Sequence, residues 1–460
     1  MQPRLNRLDI IALVVGTIIG WGAFTLPGTR FLTTSGVLDT AIGLAVGGVA
    51  IVFIQQGYAV MMHEHADEGG EFSYAYRHLG RGHAFVVGWS LVLAYISLVG
   101  LNGTAFVLVL KRIVGDGSSF GYLYAVAGSS VFASDVVVAS LIMIAFAWLN
   151  IRGLRGTARM QNLLVLALVA NVVVLFAAMV VLADTSQFAT TYVAGWSVHW
   201  GRVASVVAIV PFLFVGFDVI PQVARDLDFP PERATRLAVT GIVAGVLLYM
   251  LLNVITALAF TPAQASGQQW ATGAAVAEHL GPIGFTLLVV ALAGAVMGGI
   301  NGFTLASSKL IASLARHRFL PVTLLRTNDR HVFDRAVLAV LGISLLAPWA
   351  GREVVNYVVD MSSLLAAVAY AYTCFISTRV ARTRPKGALS AVGLLCSTGF
   401  IALLLWPGSP GRLSGFAMVF LLVWVVLGAV VYRSTRTRIG PRSALDQGER
   451  VVVFGASSTQ

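Results

Sequence analysis

Apolar segments of nearly membrane-spanning length recur along almost the whole chain, and short polar or basic stretches separate them. A helix needs about 20 predominantly apolar residues to cross a bilayer. Ten-residue segments of alternating polarity, which are typical of a membrane β-barrel, are absent from the sequence. The pattern therefore predicts an all-α integral membrane protein. About twelve spans are expected, near residues 8–33, 38–62, 84–110, 134–151, 160–183, 202–224, 237–260, 283–311, 335–350, 354–378, 388–406 and 414–432.

The first apolar segment contains residues that an uninterrupted helix does not need. Between Val15 and Gly28 it carries four glycines and Pro27. Glycine weakens a helix interior by roughly 1 kcal/mol and proline by about 3 kcal/mol. Unwound backbone is tolerated in a bilayer only where it is buried in protein or lines a cavity. We predict a broken helix whose second half offers free N–H groups to a ligand; a glycine-rich face for helix packing is the alternative.

The sixth segment carries a second set of helix-breaking residues. Pro211 and Pro221 flank Gly216, and Asp218 lies between them. Interrupted hydrophobic segments at corresponding positions of two halves indicate a transporter substrate site. Spans one and six correspond if five helices are repeated in inverted orientation. The domains predicted on this basis are a first half at 1–183, a second half at 184–380, two additional spans at 381–433 and a basic cytoplasmic tail at 434–460.

Composition and charge agree with a membrane protein and indicate its orientation. The chain is 57% hydrophobic and 11% charged, with a net charge of +11. If the N-terminus is inside, six of the 31 lysines and arginines fall outside and 25 fall inside. By the positive-inside rule, both termini are expected to be cytoplasmic in a multi-pass protein of the cell membrane. Because the basic residues occupy short loops, we expect no nucleic-acid partner, and the oligomeric state stays undefined.

The most polar internal stretch is the loop from His63 to Gly82. It contains His63, Glu64 and His65, which raise the possibility of a metal site. However, the spacing of the two histidines does not suit a ligand pair on one helix face, and no cysteine lies nearby. A cytoplasmic amphipathic helix is the favoured interpretation, and no metal site is predicted.

Four motifs in order resemble the amino acid–polyamine–organocation superfamily of secondary transporters. Together they extend from span one to just beyond span eight, and their joint occurrence is more specific than any one of them. The motifs are Gly16-Thr17-Ile18-Ile19-Gly20-Trp21-Gly22-Ala23-Phe24 with Pro27-Gly28, Gly69-Gly70-Glu71-Phe72-Ser73-Tyr74 followed by Gly88-Trp89, Phe214-Val215-Gly216-Phe217-Asp218, and Ser308-Lys309 with Leu314-Ala315-Arg316 and Leu320-Pro321.

The resemblance implies a five-plus-five inverted repeat with discontinuous helices 1 and 6 and two extra C-terminal helices. It also implies a substrate site between spans one, three, six, eight and ten. The substrate carboxylate is expected on amides of the first break, and the amine on carbonyls of the second, in agreement with the helix dipole. The substrate-binding residues predicted are Ile18, Ile19, Gly20, Trp21, Gly22, Asn102, Phe212, Phe214, Val215, Gly216 and Phe217. The three phenylalanines among them are candidate gates.

Two departures from the family pattern affect these expectations. The position between Gly20 and Gly22 is usually small, but here it is Trp21. An indole there narrows the site, which favours a small or slender substrate, or offers a face for a cation; the alternative is that it packs on a neighbouring helix. The lysine that some members use for proton coupling corresponds here to Leu168.

Few ionisable residues lie inside the predicted spans, and these are candidates for ion coupling. Asp218 is the candidate proton-coupling residue, with a structural role at the second break as the alternative. Asp360 is a weaker candidate that faces the outer vestibule. Hydroxyls in span eight, Thr304 and Ser307, are secondary candidates for a sodium site. No cofactor is expected, and H⁺ is preferred over Na⁺ as the coupling ion.

These observations predict a secondary active transporter for an amino acid or related amine, working by alternating access as a proton-coupled symporter or exchanger. The sequence contains no nucleotide-binding loop and no hydrolase or metalloprotease motif, so we do not expect an enzyme. A membrane-embedded enzyme needs several converging acids or histidines inside the spans. A channel or receptor needs polar rings or a large soluble domain. Within transporters, an organic amine or polyamine carrier that does not require a carboxylate and a sodium-coupled amino acid symporter are the alternatives.

Overall fold

The computed structural model describes residues 4–115, 119–183, 185–409 and 411–437. Most of the predicted basic tail, from residue 438 onward, lies outside this part of the chain. Within it, nine helices are long and apolar enough to cross a membrane, or ten if one bent pair counts as a single span. The predicted fold class is confirmed. The number of twelve spans, the inverted repeat and the domain bounds stay predictions.

The first predicted span is a series of short helical pieces. Helix α1 (Arg7–Ile18) begins at a capping box, in which the Asn6 side chain accepts the Asp9 amide and Asp9 accepts the Asn6 amide. Such reciprocal bonds satisfy donors that the first turn leaves free. After a break the chain continues through α2 (Trp21–Leu26), a π-helix (Pro27–Ser35) and the long helix α3 (Gly36–Glu64).

The next elements complete the first predicted half. A short helix, α4 (Gly70–Leu79), precedes α5 (Arg81–Val114), which is the long third span. A small antiparallel hairpin follows, which the sequence did not predict, and it leads into two spanning helices. These elements are β1 (Tyr122–Val126), β2 (Ser129–Phe132), α6 (Ala133–Ile151) and α7 (Leu154–Leu182).

The second predicted half begins with another interrupted span. Two short helices, the second with Pro211 in its first turn, bend by 42° across their break. A 3₁₀ helix and a long α-helix continue the chain. The elements are α8 (Thr185–Phe188), a π-helix (Ala189–Val193), α9 (Trp200–Val207), α10 (Val210–Phe214), a 3₁₀ helix (Phe217–Asp226) and α11 (Pro231–Ala259).

The remaining elements carry the C-terminal spans. A kink at Gly281, where φ is +61°, and at the following Pro282 divides α13. The predicted ninth span is again two short helices rather than one. The elements are α12 (Pro262–Ser266), α13 (Ala271–Arg316), a 3₁₀ helix (Val322–Leu325), α14 (Asp334–Ser344), α15 (Ala347–Ala350), α16 (Arg352–Val380), α17 (Arg384–Leu405) and α18 (Gly415–Thr437).

Helix α1 lies in the centre of the molecule, packed against α7, α11 and α13. Small residues permit this close packing: a Cβ atom added to Gly245 of α11 would lie 2.9 Å from Cγ2 of Ile18. In contrast, α18 exposes large apolar side chains such as Phe416 and Leu422. Burial at the centre and apolar exposure at the periphery fit a bundle surrounded by lipid, in which α1 and its break are enclosed by protein.

Candidate functional site

The helix of the first span breaks at Ile19 and Gly20. Ile19 is extended, with φ −91° and ψ 105°, and its amide makes the last bond of α1 to the Val15 carbonyl. Gly20 is also extended and precedes α2. The first amides of α2, on Trp21 and Gly22, have no partner within their own helix, because the first turn of any α-helix leaves its donors free. The backbone donors therefore occur where the sequence predicts them.

The second break lies at Val215 and Gly216. Helix α10 ends at Phe214, and Gly216 has φ +128° and ψ −24°, a backbone conformation that side-chain-bearing residues rarely adopt. The Gly216 amide donates a 2.7 Å hydrogen bond to the carboxylate of Asp218. The glycine and the acid thus shape the break between α10 and the following 3₁₀ helix.

The two breaks lie against each other at the centre of the bundle. The Thr17 hydroxyl, in the last turn of α1, lies 3.1 Å from the Gly216 carbonyl oxygen and 2.7 Å from the Leu13 carbonyl oxygen of its own helix. The Tyr249 hydroxyl of α11 lies 3.4 Å from the carbonyl oxygens of both Ile18, the last residue of α1, and Leu213, in the last turn of α10. A single buried tyrosine from a third helix therefore joins the carbonyl ends of both broken helices.

Asn102 of α5 lies beside the first break. It is 3% exposed, and its amide nitrogen donates to the Leu98 carbonyl of its own helix at 2.9 Å. Its Oδ1 has no hydrogen-bond partner among the residues that the structure describes. A Cβ atom on Gly20 would lie 3.2 Å from this oxygen, and one on Gly299 would lie 2.6 Å from the amide nitrogen. A buried acceptor therefore faces the break from the third span.

A cavity of about 410 Å³ begins at the first break and extends along α2 and α16. Trp21, Gly22 and Phe212 line its inner end, and an added Cβ on Gly22 would lie 3.5 Å from the Phe212 ring. The guanidinium carbon of Arg352 lies 5.2 Å from the centre of the Trp21 ring. Asp360 also lines this cavity.

The other predicted site residues surround this cavity without lining it. Phe214 is fully buried against Tyr249, with ring centres 6.1 Å apart. Phe217 is fully buried between Tyr58 and Tyr370, at 5.4 and 5.1 Å. The remaining predicted residues belong to the two breaks and to α5 and are not part of the cavity lining: Ile18, Ile19, Gly20, Asn102, Val215 and Gly216. Of the three phenylalanines predicted as gates, Phe212 alone faces the cavity in this part of the chain.

Asp218 belongs to a buried polar cluster beneath the second break. It is 0% exposed, and the Tyr95 hydroxyl donates to its Oδ2 at 2.9 Å. Glu71 of α4, which the sequence placed in a cytoplasmic amphipathic helix, is 1% exposed and accepts from the Gln222 amide at 2.8 Å. Burial, and after it the charge of Asp218, raise the pKa of the Glu71 carboxyl well above its usual range. Two acids therefore share this cluster, and sequence reasoning identified one of them.

The positions linked to alternative coupling mechanisms are packed among helices. Leu168, where some relatives of the family carry lysine, is fully buried on α7. The Ser307 hydroxyl donates to the Phe303 carbonyl of its own helix at 2.6 Å, and Thr304 is 2% exposed. His63, one of the loop histidines, lies 2.8 Å from Glu232. The sodium assignment stays a prediction.

An ion cluster lies at the end of the bundle away from the cavity. Lys309 of α13 lies 3.1 Å from Glu68 and 2.6 Å from Asp226, and Arg316 lies 2.8 Å from Glu68. Burial opposes ionisation of Glu68, but the charges of Lys309 and Arg316 outweigh it and hold the Glu68 pKa below its usual value. Sequence reasoning missed this cluster because its members come from three separate segments.

The positions of the cavity and the ion cluster along α5 establish that they lie at opposite ends. Arg81, the first residue of α5, donates to the His317 carbonyl, next to Arg316 of the cluster. Thr104 accepts a hydrogen bond from Arg352 of the cavity at 3.3 Å. These two residues are 23 positions apart, which is about 35 Å at 1.5 Å per residue. The two features therefore lie near opposite ends of α5, and the ion cluster itself lines a second, smaller cavity of about 280 Å³.

Two interrupted helices that meet inside an apolar bundle, beside a one-sided cavity, define the class of membrane transporters with discontinuous helices. The family model described as "Amino acid permease" matches residues 5–430. The chain belongs to the amino acid permease family. This membership confirms the resemblance drawn from the sequence, and also the expectation that the protein is a transporter rather than an enzyme.

Curated relatives span most of the chain at low identity. The branched-chain amino acid permease BcaP of Bacillus subtilis is 22% identical over 451 residues, covering 94% of this chain and 92% of that protein. The cationic amino acid transporter 4, vacuolar, of Arabidopsis thaliana is 24% identical, covering 81% and 62%. The arginine/ornithine antiporter of Pseudomonas aeruginosa is 24% identical, covering 72% and 67%. Because these names differ in the charge of the amino acid, they support amino acid transport without defining which substrate this chain moves.

Proposed function

We propose that this protein is a proton-coupled amino acid transporter of the cell membrane, with both termini cytoplasmic, and that it works by alternating access as a symporter or exchanger. The observation that carries the proposal is the contact of the two helix breaks, Thr17 to Gly216 at 3.1 Å, behind a cavity of about 410 Å³. Family membership and the relatives' names support an amino acid as the substrate.

The substrate carboxylate is proposed to bind the free amides of α2, at Trp21 and Gly22, because a helix N-terminus favours an anion. The substrate amine is proposed to meet backbone carbonyls of the second break, around Phe212 and Val215. The unpartnered Asn102 oxygen is a further acceptor near Gly20. A zwitterion laid across the two breaks thus satisfies opposite dipole ends at once.

The ion pairs that join separate segments at one end of the bundle support the assignment of a functional state. With the termini cytoplasmic, Lys309 and its acidic partners lie at the inner end and the cavity opens outward. Alternating access then requires these ion pairs to separate while the cavity closes. This proposal describes the structure as outward-facing.

Proton coupling is assigned to the buried acids beneath the second break. Asp218 bonds directly to the Gly216 amide, so a change in its protonation alters the bond that shapes this break. Glu71 lies in the same buried cluster and provides a second carboxyl, whose pKa is raised by burial and by the charge of Asp218. A proton taken up by this pair is therefore linked to the geometry of the substrate site.

The test is uptake of radiolabelled amino acids into proteoliposomes under an imposed pH or sodium gradient. We expect an inward proton gradient to stimulate accumulation and a sodium gradient to have no effect. In Asp218→Asn, stimulation by the proton gradient is expected to be lost while exchange at equal pH persists. The matched control, Asp228→Asn, changes an exposed acid just after the same 3₁₀ helix. Stimulation by sodium alone, or unchanged pH dependence in Asp218→Asn, contradicts the coupling mechanism.

A further inference from the structure

The cavity in front of the first break is strongly basic. Three arginines, Arg30, Arg352 and Arg412, line it together with a single acid, Asp360. Three positive charges against one negative charge leave a net charge of +2 on the lining. A concave surface with one sign of charge and apolar walls concentrates ligands of the opposite sign. The composition of this cavity therefore disfavours cationic ligands and favours anionic ones.

Arg352 is the arginine nearest to the substrate site. Its guanidinium lies 5.2 Å from the centre of the Trp21 ring, and one of its N–H groups donates to Thr104 at 3.3 Å. Within the described part of the chain, this is its one side-chain hydrogen bond, so most of its five donors remain for other partners. Its neighbour Glu353 does not line the cavity and lies 3.5 Å from the Asn356 amide nitrogen, but its negative charge is close enough to act on Arg352.

Trp21 holds this guanidinium at a defined distance from the free amides. An aromatic face attracts a cation and limits the positions of an otherwise long side chain. Trp21 contributes both the indole beneath Arg352 and one of the first amides of α2. A ligand carboxylate on those amides therefore lies within the length of a small molecule from the Arg352 donors, which suit a second carboxylate in a bidentate arrangement.

From this juxtaposition we propose that the substrate is a dicarboxylic amino acid, with its α-carboxylate on the amides of α2 and its side-chain carboxylate on Arg352. The inference rests on the proposed amino acid transport and adds the substrate class. It also explains the unusual tryptophan, because a small residue at position 21 leaves Arg352 without its aromatic support. A neutral amino acid has no group for Arg352, and a cationic one brings a further positive charge towards the three arginines of the lining.

The test compares isosteric ligands that differ in charge. Proteoliposomes that contain the purified protein are loaded with one of glutamate, aspartate, glutamine, asparagine, leucine and arginine, and exchange is measured. In parallel, the stabilisation of the protein against heat by each ligand is measured. We expect glutamate or aspartate to exchange and to stabilise at concentrations about ten- to hundredfold lower than the corresponding amide, since charged hydrogen bonds have this strength. This comparison uses the unmodified protein and does not depend on a variant that folds.

The variant Arg352→Gln is expected to remove the preference between glutamate and glutamine, and Arg352→Lys to keep part of it. The matched control Arg233→Gln removes an exposed arginine at the start of α11, far from the cavity, and is expected to keep the full preference. Better exchange of leucine, glutamine or arginine than of both acidic amino acids overturns the substrate class but leaves amino acid transport intact. If no amino acid of any charge exchanges or stabilises, the proposed function itself is wrong.

Discussion

The contact between the two broken helices depends on Gly216, and Gly216→Ala tests its importance. At φ +128° an alanine adopts a sparsely populated conformation, which costs about 1–3 kcal/mol. Its Cβ atom would lie 2.6 Å from Oγ1, 2.7 Å from Cβ and 2.9 Å from the backbone carbonyl carbon of Thr17. The last of these atoms is backbone and cannot turn aside, so α1 and the second break must separate, at a further cost of about 1–3 kcal/mol for overpacking.

The expected total is therefore about 2–6 kcal/mol, a large part of the 5–15 kcal/mol typical of a folded protein. The assay is thermal unfolding in detergent, together with uptake in proteoliposomes. Gly216→Ala is expected to unfold at a clearly lower temperature and to lose uptake, because the 3.1 Å bond from Thr17 to the Gly216 carbonyl is lost with the displacement.

Gly201→Ala is the matched control in the same interrupted span. Gly201 lies in α9, and an added Cβ meets no atom within 4 Å. This substitution is expected to be neutral or to stabilise by up to about 1 kcal/mol, because alanine is the better helix former. Equal unfolding temperatures and equal uptake for the two variants would refute the close contact between the breaks.

Three further predictions address the two ends of the molecule. Lys309→Met removes the positive charge that its acidic partners in the ion cluster face. Because the side chains are partly exposed and other arginines remain, we expect a loss of stability near or below the roughly 3–5 kcal/mol of a broken buried pair. The loss is measured as a lower unfolding temperature, and an unchanged temperature contradicts the cluster's role. Trp21→Ala removes the support of Arg352 and enlarges the cavity, so competition assays are expected to admit bulkier amino acids; an unaltered size profile contradicts the placement of the indole. Burial, followed by the neighbouring positive groups, lowers the pKa of His78 to about 4, whereas an unfolded histidine titrates near 6.5. The unfolded chain thus binds the proton first, and stability falls as the pH drops from about 6.5 to 4. His78→Gln is expected to reduce the accompanying fall in unfolding temperature, whereas the control His83→Gln, at an exposed histidine, is not. The same dependence of unfolding temperature on pH in wild type and His78→Gln contradicts this prediction.

The helix breaks were predictable because their cause is local. Gly20 and Gly22 interrupt the first span, and Gly216 between two prolines interrupts the sixth span, whatever surrounds them. The family-like motifs are also local, so the fold class and the amino acid permease family followed from the sequence. Trp21 was predicted to narrow the site or to offer a face for a cation. In the structure a cation does lie beside its ring, but it is the chain's own Arg352.

The features that the sequence did not reveal depend on contacts between distant segments. The spacing of residues around Glu71 suits an amphipathic helix, but α4 packs inward, so this acid is buried against Gln222 from the second half. Lys309 and Asp226 meet across 83 positions, and neither local pattern indicates the other. Likewise, Phe214 and Phe212 bracket the same break, yet only tertiary packing decides that one faces the core and the other the cavity.

The central claim is that an amino acid binds with its carboxylate on the amides of the first break. The most direct measurement is equilibrium binding to the purified protein of the best amino acid ligand and of its α-carboxamide, which keeps the amine and the side chain but loses the charge. We predict that amidation weakens binding about tenfold or more, since a charged hydrogen-bonding group at a helix N-terminus is lost. Equal affinities for the acid and the amide would contradict the claim and favour a carrier of amines that does not read a carboxylate.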